Sequence, residues 1–180
     1  MDELMERAGV EANATALKNA TLGDLSGLAT LPQYDRGRMT PGIVHIGVGN
    51  FHRAHLAWYV HRLMQQGAAA DWAILGAGVR DHDRMMRQRL LAQDCLTTLI
   101  ELDPDGGQAT EIIGPMLDYL PVEADNAALI SAMADPRIRI VSMTITEGGY
   151  FIDPETGGLD VKHPDILHDA ENPVSYTHLR

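Results

Sequence analysis

A short apolar run that enters a pair of glycines constrains the fold of this chain most. Residues 43–48, IVHIGV, are rich in β-branched side chains, which favours a buried strand. Gly47 and Gly49 end this run, and apolar positions recur at helical spacing over residues 56–64. A strand that turns into a helix through Gly-x-Gly is typical of a loop whose backbone approaches a phosphate. Where a third glycine would fall, the sequence has His52.

The remaining sequence alternates the same two patterns. A weak helix over residues 3–20 and an irregular lead-in over 21–39 come first. Helices are then predicted at 52–66, 81–93 and 123–134, and further strands at 72–79, 96–102, 109–114 and 137–146. Alternating strands and helices predict an α/β fold with a mostly parallel, twisted sheet and helices on both faces. The strands at 96–102 and 109–114 are expected to pair antiparallel, as the one exception to the parallel arrangement.

Composition narrows the class of protein. The chain has 180 residues, enough for one domain with an extension. Its net charge of −11 argues against broad binding to nucleic acid or to anionic membranes. No apolar stretch approaches the roughly 18 residues of a membrane span, and the N-terminus lacks the apolar core of a secretory signal. The single cysteine, Cys95, suits a reducing compartment, so we expect a cytoplasmic protein.

The histidines around the glycine pair allow a second hypothesis. His45, His52 and His55 could together bind a metal, since His52 and His55 share a helix face. The segment from 43 to 70 contains no cysteine and no acid, so we expect no metal here. His45 lies inside an apolar strand and is expected to be a hydrogen-bonded core residue.

Acidic residues follow two of the predicted strands. Asp81 and Asp83 come after the strand at 72–79, where an acid can either bind an adenosine ribose or cap the next helix. Glu147 follows the strand at 137–146, within TITEGGY. A carboxylate at this edge could transfer a proton or simply be solvated. The residues alone do not decide between these alternatives, either for Asp81 and Asp83 or for Glu147.

Four segments together resemble one family. They are PQYDRGRMTPGIVHIGVGNFHRAH, WAILGAGVRDHDR, LAQDCLTTLIEL and IRIVSMTITEGGY. They are similar to the N-terminal domain of the mannitol dehydrogenase family, the polyol-specific long-chain dehydrogenases. The resemblance covers residues 28–173, and GVGNFHRAH and TITEGGY are its most specific motifs. It implies a Rossmann-like domain over 41–173, incomplete at its C-terminus, after an N-terminal extension over 1–40. In this family a histidine stands in place of the third glycine.

The resemblance also implies an activity and a set of site residues. It implies NAD as cofactor and a metal-free interconversion of a polyol and a ketose, D-mannitol and D-fructose. Fructuronate reduction is the alternative within the family, and a non-catalytic nucleotide-binding fragment is the alternative outside it. Asp83 matches the acid that holds the ribose and excludes the NADP phosphate, and Glu147 matches a carboxylate that relays protons. The cofactor segment is matched by Gly47, Val48, Gly49, Asn50, Phe51, His52 and Arg53.

Two features depart from the family pattern. The family's catalytic lysine lies in a later, mostly helical domain, and the two lysines here, Lys18 and Lys162, match nothing catalytic. The tail over 174–180 leaves the family pattern after Pro173 and is expected to be non-native. We therefore expect this chain to hold the cofactor half of such an enzyme and to be inactive alone.

Overall fold

The computed structural model describes residues 15–146 and 149–172. Its strands are β1 (Pro41–Ile46), β2 (Ala73–Ala77), β3 (Thr97–Leu102), β4 (Gln108–Ile113), β5 (Met116–Tyr119) and β6 (Ile140–Met143). Four of them form a fully parallel sheet in the order β5-β2-β1-β6, and β3 and β4 form a separate antiparallel hairpin.

Five α-helices connect or follow the strands. They are α1 (Asn50–Ala54), α2 (Leu56–Gln65), α3 (Asp83–Ala92), α4 (Ala127–Met133) and α5 (Pro164–Glu171). Parallel neighbours need crossover connections, and here α1 with α2 joins β1 to β2, while α4 joins β5 to β6. Between β2 and β5 the crossover is made by α3 and the hairpin. Short 3-10 helices at Asn19–Leu25 and Arg36–Arg38 precede the sheet.

The side chains of β1 alternate between two hydrophobic clusters, one on each face of the sheet. Ile43 belongs to the cluster that includes Val60 and Met64 of α2. Val44 belongs to the cluster that includes Leu129 of α4. Each such buried side chain stabilises the fold by roughly 1.5–3 kcal/mol. Helices therefore cover both faces, and the predicted α/β, mostly parallel fold is confirmed, as is the antiparallel pair.

Several predicted boundaries were wrong, each for a local reason. The strand predicted to reach 48 ends at Ile46, because Gly47 turns the chain with a φ of +90°. The single helix predicted over 52–66 is two helices, since His55 leaves the helical region at φ −125° and ψ −88°. The strand predicted over 137–146 is only β6, because the Asp135 carboxylate accepts a hydrogen bond of 2.8 Å from the Arg137 N–H and forms a turn.

Other predicted elements begin at a different residue in the structure, and some elements of the structure were not predicted. The helix predicted over 123–134 begins only at Ala127, after Asn126 in the left-handed region, and the one predicted from 81 begins at Asp83. β5 and α5 were not predicted. The lead-in predicted as irregular contains the two 3-10 helices. Of the weak helix predicted over 3–20, residues 3–14 lie outside the described residues, and residues 15–17 have no regular structure.

Among the described residues, β6 is the last strand on one side of the sheet, and it is unusually apolar for an edge. Ile140, Val141 and Met143 are each a little over four-tenths exposed. An edge strand presents unpaired backbone groups, so an apolar one invites association. Within residues 15–146 and 149–172, no helix is both long and apolar enough to cross a membrane.

Candidate cofactor-binding site

A cleft of about 170 Å³ opens at the carboxyl ends of β1, β2 and β6. Gly47 lines it from the end of β1, Arg80 and Asp83 from beyond β2, and Thr144 and Thr146 from beyond β6. In open α/β sheets ligands bind outside the carboxyl ends of strands, where the strand order reverses. Because the chain runs from β1 outward to β2 and β5, and then returns to β6, this cleft lies at such a reversal.

The two glycines of the loop after β1 have different roles. Gly47 has a φ of +90°, and a Cβ added there would lie 3.1 Å from the Thr144 carbonyl oxygen. Gly49 has an ordinary φ of −95°, and a Cβ added there would meet nothing within 4 Å. Gly47 is therefore required by the turn itself. The open space at Gly49 is what a backbone approached by a ligand would need.

His52 packs into the core instead of facing the cleft. Its side chain is 1% exposed, and its ring stacks on His45 with centroids 3.7 Å apart and an interplanar angle of 15°. His45 is hydrogen-bonded to Ser142 Oγ at 2.9 Å and to Thr144 Oγ1 at 3.1 Å, so the prediction of a hydrogen-bonded core histidine is confirmed. Burial lowers the pKa of His45, and burial, aided by His45 and Arg53, lowers the pKa of His52 to about 3.

The other residues of the predicted cofactor segment divide into buried and exposed. Val48 is buried, and its Cγ2 would lie 2.9 Å from a Cβ added at Gly76. Phe51 is exposed and stacks on His55. Arg53 donates to the Gly49 carbonyl at 3.4 Å and to Asn50 Oδ1. Contacts from Val48 or His52 to a cofactor would therefore go through the backbone.

Asp83 is held over a glycine at the end of β2. Its carboxylate accepts a hydrogen bond of 3.0 Å from the Arg80 N–H, and the residue lines the cleft. A Cβ added at Gly78 would lie 2.3 Å from the Asp83 Cβ, so only glycine leaves room for this position. Neither acid caps the helix, because the N-cap residue is His82, without a side-chain bond, while Asp81 pairs with Arg84 at 3.4 Å. The capping interpretation was wrong.

Glu147, the predicted proton relay, lies outside the described residues, as do Gly148 and the tail over 174–180. The residues on either side of the gap, Thr146 and Gly149, both line the cleft. Within the described ranges, no group of three or more His, Cys, Asp or Glu residues could hold a metal ion.

A buried polar network beside the sheet was missed by sequence reasoning. The Tyr34 hydroxyl accepts from the Gly114 N–H at 3.1 Å and donates to His61 Nδ1 at 2.8 Å. His61 Nε2 in turn contacts Glu111 Oε1 at 3.2 Å, and Trp58 Nε1 donates to Glu111 Oε2 at 3.1 Å. The network ties the lead-in, α2 and β4 together. No local pattern signals it, because its partners lie 27 to 80 residues apart.

A larger concavity of about 590 Å³ lies elsewhere, beside Arg36 and Cys95. The Arg36 guanidinium already donates to the carbonyl oxygens of Gly114, Asp94 and Met116, so it serves the fold. Cys95 is buried as predicted, and burial raises the pKa of its thiol to about 11, which disfavours a reactive thiolate. The smaller cleft, where strand ends and the glycine loop meet, is therefore the better candidate site.

Comparison with known proteins agrees with this geometry. Residues 41–178 match the sequence profile of the mannitol dehydrogenase Rossmann domain. The chain belongs to the mannitol dehydrogenase family. The match begins at the first residue of β1, and it confirms the family predicted from the four motifs.

Individual members of the mannitol dehydrogenase family resemble the chain over most of its length. Mannitol 2-dehydrogenase of Cereibacter sphaeroides is 62% identical over 145 residues, 81% of this chain and 30% of the relative. A polyol:NADP oxidoreductase of Gluconobacter oxydans is 44% identical over 155 residues, 85% of this chain and 32% of the relative. The chain thus spans about a third of the length of these curated relatives.

A solved structure of the same family shares the fold. It is the Pseudomonas fluorescens mannitol 2-dehydrogenase ternary complex with NAD and D-mannitol. This structure superposes with a TM-score of 0.73 at 45% sequence identity, covering 87% of this chain and 32% of the other.

Proposed function

We propose that this chain forms the NAD-binding part of a polyol oxidoreductase that interconverts D-mannitol and D-fructose in the cytoplasm. Membership of the mannitol dehydrogenase family supports the reaction class. The name of the relative at 62% identity supports mannitol as the polyol, and the NAD complex of the similar structure supports the cofactor. The single cysteine, reduced and buried, suits the compartment.

The observation that carries the proposal is that the glycine loop after β1 and an acid meet at one cleft, which Gly47 and Asp83 both line. Gly49 offers the space that a pyrophosphate needs, and Asp83 offers a carboxylate for ribose hydroxyls. The backbone N–H groups of the first turn of α1 have no acceptors within the helix and can donate to an anion. Bound NAD would supply the hydride acceptor, while these residues bind and orient it.

Asp83 supports NAD over NADP. A carboxylate near the ribose 2′ position repels an added phosphate, and a clash of roughly 1.5–3 kcal/mol corresponds to a 10- to 100-fold preference. Arg80 and Arg84 lie close enough in sequence to oppose this effect, and one relative is named for NADP. Arg84, however, pairs with Asp81 at 3.4 Å.

The test is titration of NAD and NADP into the chain and into Asp83→Asn. Asparagine keeps the side-chain oxygen that accepts from the Arg80 N–H but removes the charge, so the discrimination should fall while the fold is unchanged. Equal or tighter binding of NADP by the unsubstituted chain would refute the NAD assignment. No binding of either nucleotide would refute the cofactor role altogether.

We also propose a route for the hydroxyl proton of the substrate. Oxidation of an alcohol needs a group that removes the hydroxyl proton, and we propose Glu147 as a relay toward the cleft. Support comes from its position in the TITEGGY motif, between Thr146 and Gly149, which both line the cleft. A relay cannot also position the substrate, so the second candidate for the chain alone is a nucleotide-binding unit without catalysis. Neither of the two lysines, Lys18 and Lys162, lines the cleft, which favours that candidate.

A further inference from the structure

The stacked rings of His52 and His45 join α1 to β1, the two elements on either side of the proposed cofactor loop. We propose that these histidines are positioning residues, which hold the loop after β1 at the level where Gly49 can admit the pyrophosphate. The inference rests on the proposed binding of NAD and adds to it a support from two side chains that do not line the cleft.

Stacking, and not hydrogen bonding, stabilises the buried His52 ring. The side chain is 1% exposed, and neither ring nitrogen has a hydrogen-bond partner among residues 15–146 and 149–172. Leaving both nitrogens of a buried imidazole unpaired is unfavourable, so the ring needs another stabilising contact. That contact is the face of His45, at 3.7 Å between centroids.

His45 is itself held in place by the neighbouring strand, β6. Its two ring nitrogens are hydrogen-bonded to Ser142 at the centre of β6 and to Thr144 just beyond it. Thr144 also donates its N–H to the Ile46 carbonyl at 3.0 Å, and its own carbonyl lies against Gly47. Both ends of the loop, Gly47 and the helix turn that carries His52, are therefore fixed relative to the end of β6.

The stacked arrangement of His45 and His52 requires both rings to be neutral. Among residues 15–146 and 149–172, the groups that face the pair are Arg53 on α1 and the uncharged hydroxyls of Ser142 and Thr144. A proton on His52 would be buried beside His45 and near Arg53, and both of these neighbours disfavour it. Burial lowers the pKa of both rings, in keeping with a pair that remains neutral near pH 7.

The test measures the Kd for NAD and the thermal unfolding midpoint of three variants at position 52. His52→Ala removes the ring that stacks on His45, and we expect a 5- to 10-fold weaker Kd for NAD. His52→Gln keeps polar bulk without a ring and should weaken NAD to the same extent. His52→Phe restores a planar ring that can stack on His45, so its Kd should stay within twofold of the unsubstituted chain.

A matched control separates positioning from general loss of packing. Leu129→Ala opens a cavity on the opposite face of the sheet, away from the loop, and should lower the unfolding midpoint without changing the Kd. The proposal is overturned if His52→Phe binds NAD as weakly as His52→Gln, or if His52→Ala binds it as tightly as the unsubstituted chain. An unsubstituted chain that does not bind NAD would instead contradict the proposed function, and this proposal with it.

Discussion

The same substitution at the two loop glycines should separate folding from cofactor binding. In Gly47→Val a β-branched residue would occupy a φ of +90° and approach the Thr144 carbonyl at about 3.1 Å. A backbone held in such a region is destabilised by roughly 1–3 kcal/mol, before any crowding. For a domain of this size that amounts to a fall in Tm of roughly 3–10 °C.

Gly49→Val should behave in the opposite way. The backbone there is extended, at φ −95° and ψ −171°, which valine adopts readily, and the added side chain enters open space. The remaining loss is the weaker N-cap preference of valine, roughly 0.5–1 kcal/mol. The side chain would, however, fill the space of the pyrophosphate. We expect at least a 100-fold weaker Kd for NAD, about 2.7 kcal/mol, with a nearly unchanged Tm.

Thermal denaturation and calorimetric titration of NAD measure the two effects on the same samples. If Gly49→Val unfolded the chain as Gly47→Val does, the assignment of the positive φ to Gly47 alone would be wrong. If it folded normally and bound NAD with unchanged affinity, the pyrophosphate would not lie at this loop.

Three further predictions follow from the described contacts. The pKa of His52 in the folded chain, about 3, lies below its ordinary value of 6.5. The contribution of the neutral ring to stability is therefore complete above pH 6.5 and is lost as the pH falls toward 3. At pH 5.5 the loss is about 1.4 kcal/mol, which urea unfolding would measure and which should be absent in His52→Phe. Tyr34→Phe leaves the Gly114 N–H and His61 Nδ1 without their partner, so it should destabilise the fold by roughly 1–3 kcal/mol in the urea titration. Tyr59 is exposed, so the control Tyr59→Phe should change stability by under about 0.5 kcal/mol in the same titration. The 180-residue chain should not consume NADH with fructose above background, and the Cereibacter sphaeroides enzyme serves as the positive control. If the chain turned over fructose at a rate comparable to that enzyme, the catalytic groups would lie within these 180 residues.

The sheet could be predicted from sequence wherever a strand carries its own signal. The run at 43–46, which is apolar except for His45, and the apolar run at 73–77 are buried on both faces, so each stands out as a largely apolar stretch. β5 has only four residues, MLDY, and one is Asp118, so no period emerges over its length. It is a strand because Ile74 N–H donates to the Pro115 carbonyl at 2.9 Å, a contact between residues 41 positions apart.

The candidate site was predicted as a set of positions but not as an arrangement. The motif placed Gly47, Gly49 and Asp83 at strand ends, and the structure brings Gly47 and Asp83 to one cleft. The direction of a side chain depends on packing against distant residues, which local spacing does not encode. Sequence reasoning could therefore not tell that His52 faces inward onto His45, or that His55 breaks the helix three residues later.

The close packing of Asp83 over Gly78 has a consequence for how this family can diverge. Because a Cβ at position 78 would come within 2.3 Å of the Asp83 Cβ, the two positions form one unit of substitution. A change at 78 alone would displace the carboxylate from the cleft even though no residue in contact with a nucleotide had been altered. Cofactor preference should thus covary at 78 and 83 across homologous sequences, and attempts to exchange it by engineering should vary both positions together.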